Sequence, residues 1–155
     1  MAGALKIYEI SDKIKWRLEE YVSPMGRKAI TDWRKKLAAG ATKAFLDKFL
    51  KDRVREAKWS YPVIDGLKGE NYQGLSELRW RCGRPHRIIG YSLSIPQVDG
   101  PKEEQHAGVF VMLIGCTHDG KKYYPTECLD SAVDRKKKIE QGKATTIEYI
   151  VPTDR

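Results

Sequence analysis

The sequence predicts an α+β fold in a single domain spanning residues 1–155, with two helices, an antiparallel β-meander and a final helix. Three observations carry this reading. Apolar residues recur at helical spacing in three blocks, and three consecutive blocks between them alternate or run continuously apolar at strand length. A chain of 155 residues that is 41% hydrophobic is also long enough and apolar enough for one buried core. Helices segregated to one side of a meander satisfy this order of elements.

Each element has its own signal. Ile14 to Glu19 alternates apolar and charged residues, as a half-buried strand does, with Ile14, Trp16, Leu18 and later Val22 on the apolar side. Ser23-Pro24 reads as an N-cap with proline at the first helical position. Ala29, Ile30, Trp33 and Leu37 then follow at helical spacing until Gly40. Thr42 to Lys58 gives a second amphipathic helix, with Phe45, Leu46, Phe49, Leu50, Val54 and Ala57 on one stripe. Ser60 to Gly74, with one proline and three glycines, reads as a connecting loop.

Strands are expected over Leu75–Cys82, Arg87–Leu93 and Val109–Cys116. Gly83-Arg84-Pro85 turns the first pair, and the polar Ile95–His106 segment is expected to be a mobile loop between the second. Thr126 is placed to cap a helix over Glu127–Gln141, with Leu129, Ala132, Val133 and Ile139 on one face and Gly142 after its end. Thr145 to Val151 is β-like. The core then covers about residues 13–142, with an extension at each end.

Composition narrows the function classes. Twenty-nine Lys and Arg against 21 Asp and Glu give a net charge of +8, which favours an anionic partner, nucleic acid first among them. The opening residues lack the apolar run of a signal peptide, and no stretch of ~18 apolar residues offers a membrane span. A cytoplasmic, reducing setting is therefore expected, with Cys82, Cys116 and Cys128 as free thiols. Cys82, His86, Cys116 and His118 could be drawn together as a metal set. Their C-x3-H and C-x-H spacings are not those of zinc sites, so no metal and no cofactor is expected.

The stretch LSELRWRCGRPHRIIGY, residues 75–91, threads Arg79, Arg81, Arg84, Arg87 and His86 through strand-forming residues with one acid, Glu77. If Leu78 and Trp80 face the helices, then Glu77, Arg79 and Arg81 share the opposite face, joined by Arg87 if the register allows. Such arginines repel one another unless something negative lies between them, and a phosphate chain fits because each guanidinium donates bidentately. A second basic island, His118, Lys121 and Lys122 with Tyr124, follows the third strand. In an up-down-up meander both islands meet at one end of the sheet. Arginine or lysine there would stabilise charge on a phosphate, and histidine, lysine or tyrosine would move protons, without metal. RNA suits this chemistry because its 2′-OH is an internal nucleophile.

The series G-x-x-x-x-G-L-x-E-L-R-W-R…R-I-I-x-Y, from Gly69 to Tyr91, resembles the HigB-like, phage-related branch of the RelE/ParE toxin superfamily. So does V-x-L-I-x-x-x-H-x-x-K-K-x-x-P-x-E-x-x-x-x-A, from Val111 to Ala132. The resemblance covers about residues 23–142. It implies the RelE/ParE fold and a toxin of a toxin–antitoxin pair, an endoribonuclease that cuts mRNA on the ribosome and is neutralised by an antitoxin carrying a helix-turn-helix. Arg79, Arg87, Lys121 and Lys122 match its motifs, and His118 and Tyr124 complete the expected catalytic set. Arg81, Arg84, His86 and Tyr91 are expected to bind the nucleic acid. The turn departs from the pattern by reading Cys116-Thr117-His118-Asp119, and Leu129 stands where ribosome-dependent relatives place a tyrosine; Tyr123 or Tyr124 could substitute. The rival reading is a protein of the same fold that binds without cutting, either a gyrase-directed toxin or a decayed phage protein that binds RNA or an antitoxin.

Overall fold

The structure, a computed structural model, describes residues 16–37, 41–56, 59, 61–93 and 108–152. The expectations for Ile14, Gly40, Ala57, Lys58, Ser60, the Ile95–His106 loop and both chain ends lie outside the described residues. The chain forms a mixed α+β fold with strands β1 (Trp16–Val22), β2 (Ile64–Gly66), β3 (Ser76–Cys82), β4 (Arg84–Leu93), β5 (Gly108–Asp119), β6 (Lys122–Tyr124) and β7 (Thr145–Glu148). The helices are α1 (Ala29–Lys36), α2 (Ala41–Arg53) and α3 (Cys128–Glu140). Among the described residues no helix is long and apolar enough to cross a membrane.

The sheet runs β2-β3-β4-β5-β1-β7, with β6 paired to β5 beyond the reach of β1. The meander β3-β4-β5 is antiparallel as expected, but the sheet is mixed, because β1 pairs parallel to β5, Leu18 against Phe110. The segment read as a plain loop contributes β2, which pairs antiparallel to β3 through Ile64 and Leu78.

The expected one-sided helical layer is also corrected. The described residues hold two apolar clusters. One joins Ile30, Leu46 and Leu50 of α1 and α2 to Leu78, Ile88, Phe110 and Met112; the other joins Cys128 and Ala132 of α3 to Ile89, Tyr91, Val111 and Leu113. Alternate residues of β5 thus point into different clusters, so α1 and α2 cover one face and α3 the other. The cause is in the strand itself. VFVMLIGC is apolar at odd and even positions, and a strand apolar on both faces needs cover on both. Burying a single side chain such as Phe110 contributes roughly 1.5–3 kcal/mol.

A register shift between Ile89 and Gly90 sets the local geometry: Ile89 pairs with Ile114 and Gly90 with Met112, leaving Leu113 as the extra residue. Gly115 thereby turns toward the α1 side, where the Trp33 ring occupies the space a Cβ would need. Cys116 is aimed to the α3 side.

Helix α1 begins later than Ser23-Pro24 suggests. Gly26 donates to Ser23 O in a turn where Gly26 has φ +83, and the Ser23 Oγ accepts from Arg27 N–H. The helix starts at Ala29, and its first N–H groups are met from outside: Glu20 of β1 accepts from Ile30 N–H at 2.8 Å and Thr31 N–H at 2.7 Å. A buried carboxylate on the strand thus does the work of the N-cap. Helix α3 likewise lacks the expected Thr126 cap, whose hydroxyl reaches Glu127 instead.

Candidate functional site

The β3/β4 register decides where the arginines go. Arg79 lies directly across from Arg87, and Arg87 across from Cys116. Residues opposite one another share a face, so Arg79 and Arg87 stand on the α3 side of the sheet, beyond the helix's cover. Leu78 and Trp80 alternate to the other side and are buried there. The split of the hairpin by face is therefore as the alternation requires, and Arg87 does join Arg79.

Between the arginines lies Glu77, 4% exposed. Arg79 Nε donates to its Oε2 at 2.7 Å, and Tyr123 Oη donates to its Oε1 at 2.5 Å. Arg87 Nε approaches Oε2 at 3.7 Å, too far for a hydrogen bond, while an Nη of Arg87 donates to His86 O at 3.0 Å. Arg79 also reaches Asp65 Oδ2 at 2.9 Å from β2. The negative charge that the arginine cluster demands is thus supplied first from within the chain. Glu77 was visible in the sequence as the lone acid of the basic stretch, and its two-residue spacing from Arg79 puts both on one face; Asp65 could not be found without the β2 pairing.

The second island arrives through the β5/β6 hairpin, where His118 pairs with Tyr123. Their rings meet edge to face with centroids 4.7 Å apart. Tyr123, the substitute named alongside Tyr124, is the tyrosine that enters the site. Tyr124 and Lys122 alternate away from it, are exposed, and Lys121 occupies the turn. The convergence of two distant segments at one end of the sheet thus brings together Glu77, Arg79, Arg87, His118 and Tyr123.

Electrostatics follow from this packing. Burial draws the His118 imidazole below its ordinary value, reinforced by Arg87, while Glu77 pulls the other way. Burial and the hydrogen bond to Glu77 raise the Tyr123 phenol, so it holds its proton. Burial also lowers the Arg87 guanidinium, with Glu77 opposing. For Arg79 burial is outweighed by Glu77 and Asp65, which hold it above its ordinary value.

Other expected site residues are not brought here. His86 is 3% exposed, alternates to the α1/α2 face and stacks on Trp80 with centroids 5.3 Å apart, its Nδ1 against Arg84 O. Tyr91 is buried in the α3 cluster beneath the Lys136 ammonium, 5.0 Å from its ring centre. Neither presents a polar group at the cationic face. Arg81 is exposed and shares the face of Arg79, and Arg84 is exposed at the hairpin end. Within the basic run of α3, Arg135 donates to Leu113 O and Lys138 pairs with Asp134.

Cys82 and His86 lie on the opposite face from Cys116 and His118, and among the described residues no three His, Cys, Asp or Glu side chains are grouped as a metal would need. Set against family models, curated proteins and solved structures, the chain matches none.

Proposed function

We propose that the chain is an endoribonuclease of the RelE/ParE kind, the toxin of a toxin–antitoxin pair, acting on mRNA held by the ribosome. The observation that carries this reading is the meeting of Arg79, Arg87, His118 and Tyr123 around one carboxylate at one end of the sheet. The motifs of residues 69–91 and 111–132 and the net charge of +8 support the same class.

The chemistry needs no resident cofactor. His118, drawn below its ordinary value, is neutral at pH 7 and takes the proton from a ribose 2′-OH. The 2′-oxygen attacks the adjacent phosphorus as the bond from phosphorus to the 5′-oxygen breaks. Arg79 and Arg87 stabilise the charge that builds on the phosphate. The leaving 5′-oxygen takes a proton from the Lys121 ammonium at the turn, and the products are a 2′,3′-cyclic phosphate and a 5′-hydroxyl. Glu77 keeps the two arginines side by side, and Tyr123 holds that carboxylate from the β6 side. An antitoxin with a helix-turn-helix would restrain the activity.

The test is induced expression in bacteria. Growth arrest with loss of intact mRNA is expected for the wild type, and Arg79→Ala and Lys121→Ala should relieve both. One observation favours a second reading: Arg79 is already paired with Glu77 and Asp65, so the face is partly neutralised without a phosphate. A protein that binds without cutting, such as a gyrase-directed toxin, would give arrest with intact mRNA and blocked gyrase. No arrest and no mRNA loss would overturn the ribonuclease reading.

A further inference from the structure

Beside Arg79, on the strand-β2 side of the site, stands Tyr61. The residue is 71% exposed, and the Arg79 Cζ lies 5.6 Å from its ring centre. Three other tyrosines have their hydroxyls or rings covered, and Tyr124, also exposed, alternates away from the arginines. Tyr72 donates to Asp130, Tyr91 lies under Lys136, and Tyr123 donates to Glu77.

Tyr61 is also held in place rather than carried on a loose loop. Two residues before it, Trp59 is buried, stacks on Trp16 with centroids 4.1 Å apart, and donates its indole N–H to Arg53 O at 2.7 Å. Two residues after it, Val63 O accepts from Arg79 N–H at 2.8 Å, which continues the β2/β3 pairing. The contact of the Tyr61 ring with the Arg79 guanidinium puts it on the same side of the sheet as Asp65, which Arg79 also reaches.

We infer that Tyr61 is a base-stacking platform for single-stranded RNA, seating the base of a nucleotide next to the phosphate that Arg79 and Arg87 hold. This rests on the ribonuclease reading and deepens it. Every nucleobase has an apolar π face, and aromatic rings beside cationic grooves bind single strands by stacking bases while the cations follow the phosphates. Here the cations run across the sheet from Arg79 on β3 to Arg87 on β4, and Tyr61 marks the end of that row next to β2. Charge complementarity commits the surface to a polyanion, and the exposed ring to one with unpaired bases. A duplex, whose bases are already stacked on each other, gains nothing from Tyr61. The platform tolerates any base, so it sets position along the strand and not sequence.

The test uses the full chain and a set of single-stranded 2′-O-methyl RNA hexamers, which lack the 2′-OH and so are not cut, each with one 2-aminopurine at a different position. Binding should quench the fluorophore in at least one hexamer, as stacking on an aromatic ring does. Tyr61→Ala should weaken binding by about 10-fold and abolish that quench, whereas Tyr61→Phe should preserve both. Binding by Tyr61→Ala with unchanged affinity and quench overturns the platform and leaves the ribonuclease reading standing. A wild-type chain that binds no hexamer overturns the platform as well, and transcript cleavage in cells then decides whether the ribonuclease reading falls with it.

Discussion

Glu77 organises the cationic face more than any other side chain. Replacing it with Ala leaves Arg79 and Arg87 facing each other without the carboxylate that separates them; the fold should lose about 2–4 kcal/mol, read by chemical denaturation. Glu77→Gln keeps the shape and removes the charge. Because Glu77 raises the His118 imidazole against burial and Arg87, this variant should move the His118 titration, followed by NMR, still lower. An unmoved titration would show that Glu77 and His118 do not share one field. Cleavage that uses neutral His118 as base should fall at acid pH, on a limb below its ordinary 6.5. His118→Gln should lose that limb and about 10²- to 10⁴-fold in rate. A limb above 6.5 would contradict the assignment.

At the scale of elements, the strand and helix periods of the sequence carried most of the fold, and the failures have identifiable causes. The helix α1 start was misplaced because its cap comes from Glu20, ten residues earlier on a neighbouring strand, while Ser23 serves a turn. Strand β2 is three residues long, too short for alternation to register, and only its pairing with β3 makes it a strand. The two-sided helical cover was legible in the unbroken apolar run of β5, yet the order of elements alone hides it. For the site, alternation in Leu75–Arg81 sorted arginines from core, but the tyrosine that enters was decided by the His118–Tyr123 register, which no periodicity in so short a hairpin fixes. Gly90 has no room for a side chain, since a Cβ would fall 2.1 Å from Val111 O; Gly90→Ala should destabilise by about 1–3 kcal/mol in denaturant, and a neutral result would contradict the β4/β5 register. His86, buried against Trp80, has its imidazole lowered chiefly by burial. The unfolded chain therefore binds the proton first. Stability should be full above about pH 6.5 and decline as the pH falls from there to the lower folded value. His86→Gln should flatten part of that decline.

For the whole molecule, topology turns a net charge of +8 into a local chemistry. The antiparallel meander brings the ends of β3 and β5 to the same end of the sheet, so residues 77–87 and 118–123 meet although nothing in either segment demands the other. Cover by α3 stops short of that end, leaving Arg79, Arg81 and the Lys121 turn open to a polyanion. Association with RNA should accordingly weaken steeply with salt. The most direct test of the account is the chemistry of the RNA ends left in cells after induced expression, captured by ligation that accepts only 5′-hydroxyl termini. New 5′-hydroxyl ends within translated reading frames, present for the wild type and lost in Arg79→Ala and His118→Gln, are the result expected. Growth arrest without any such ends, or the same ends in all three proteins, would contradict it.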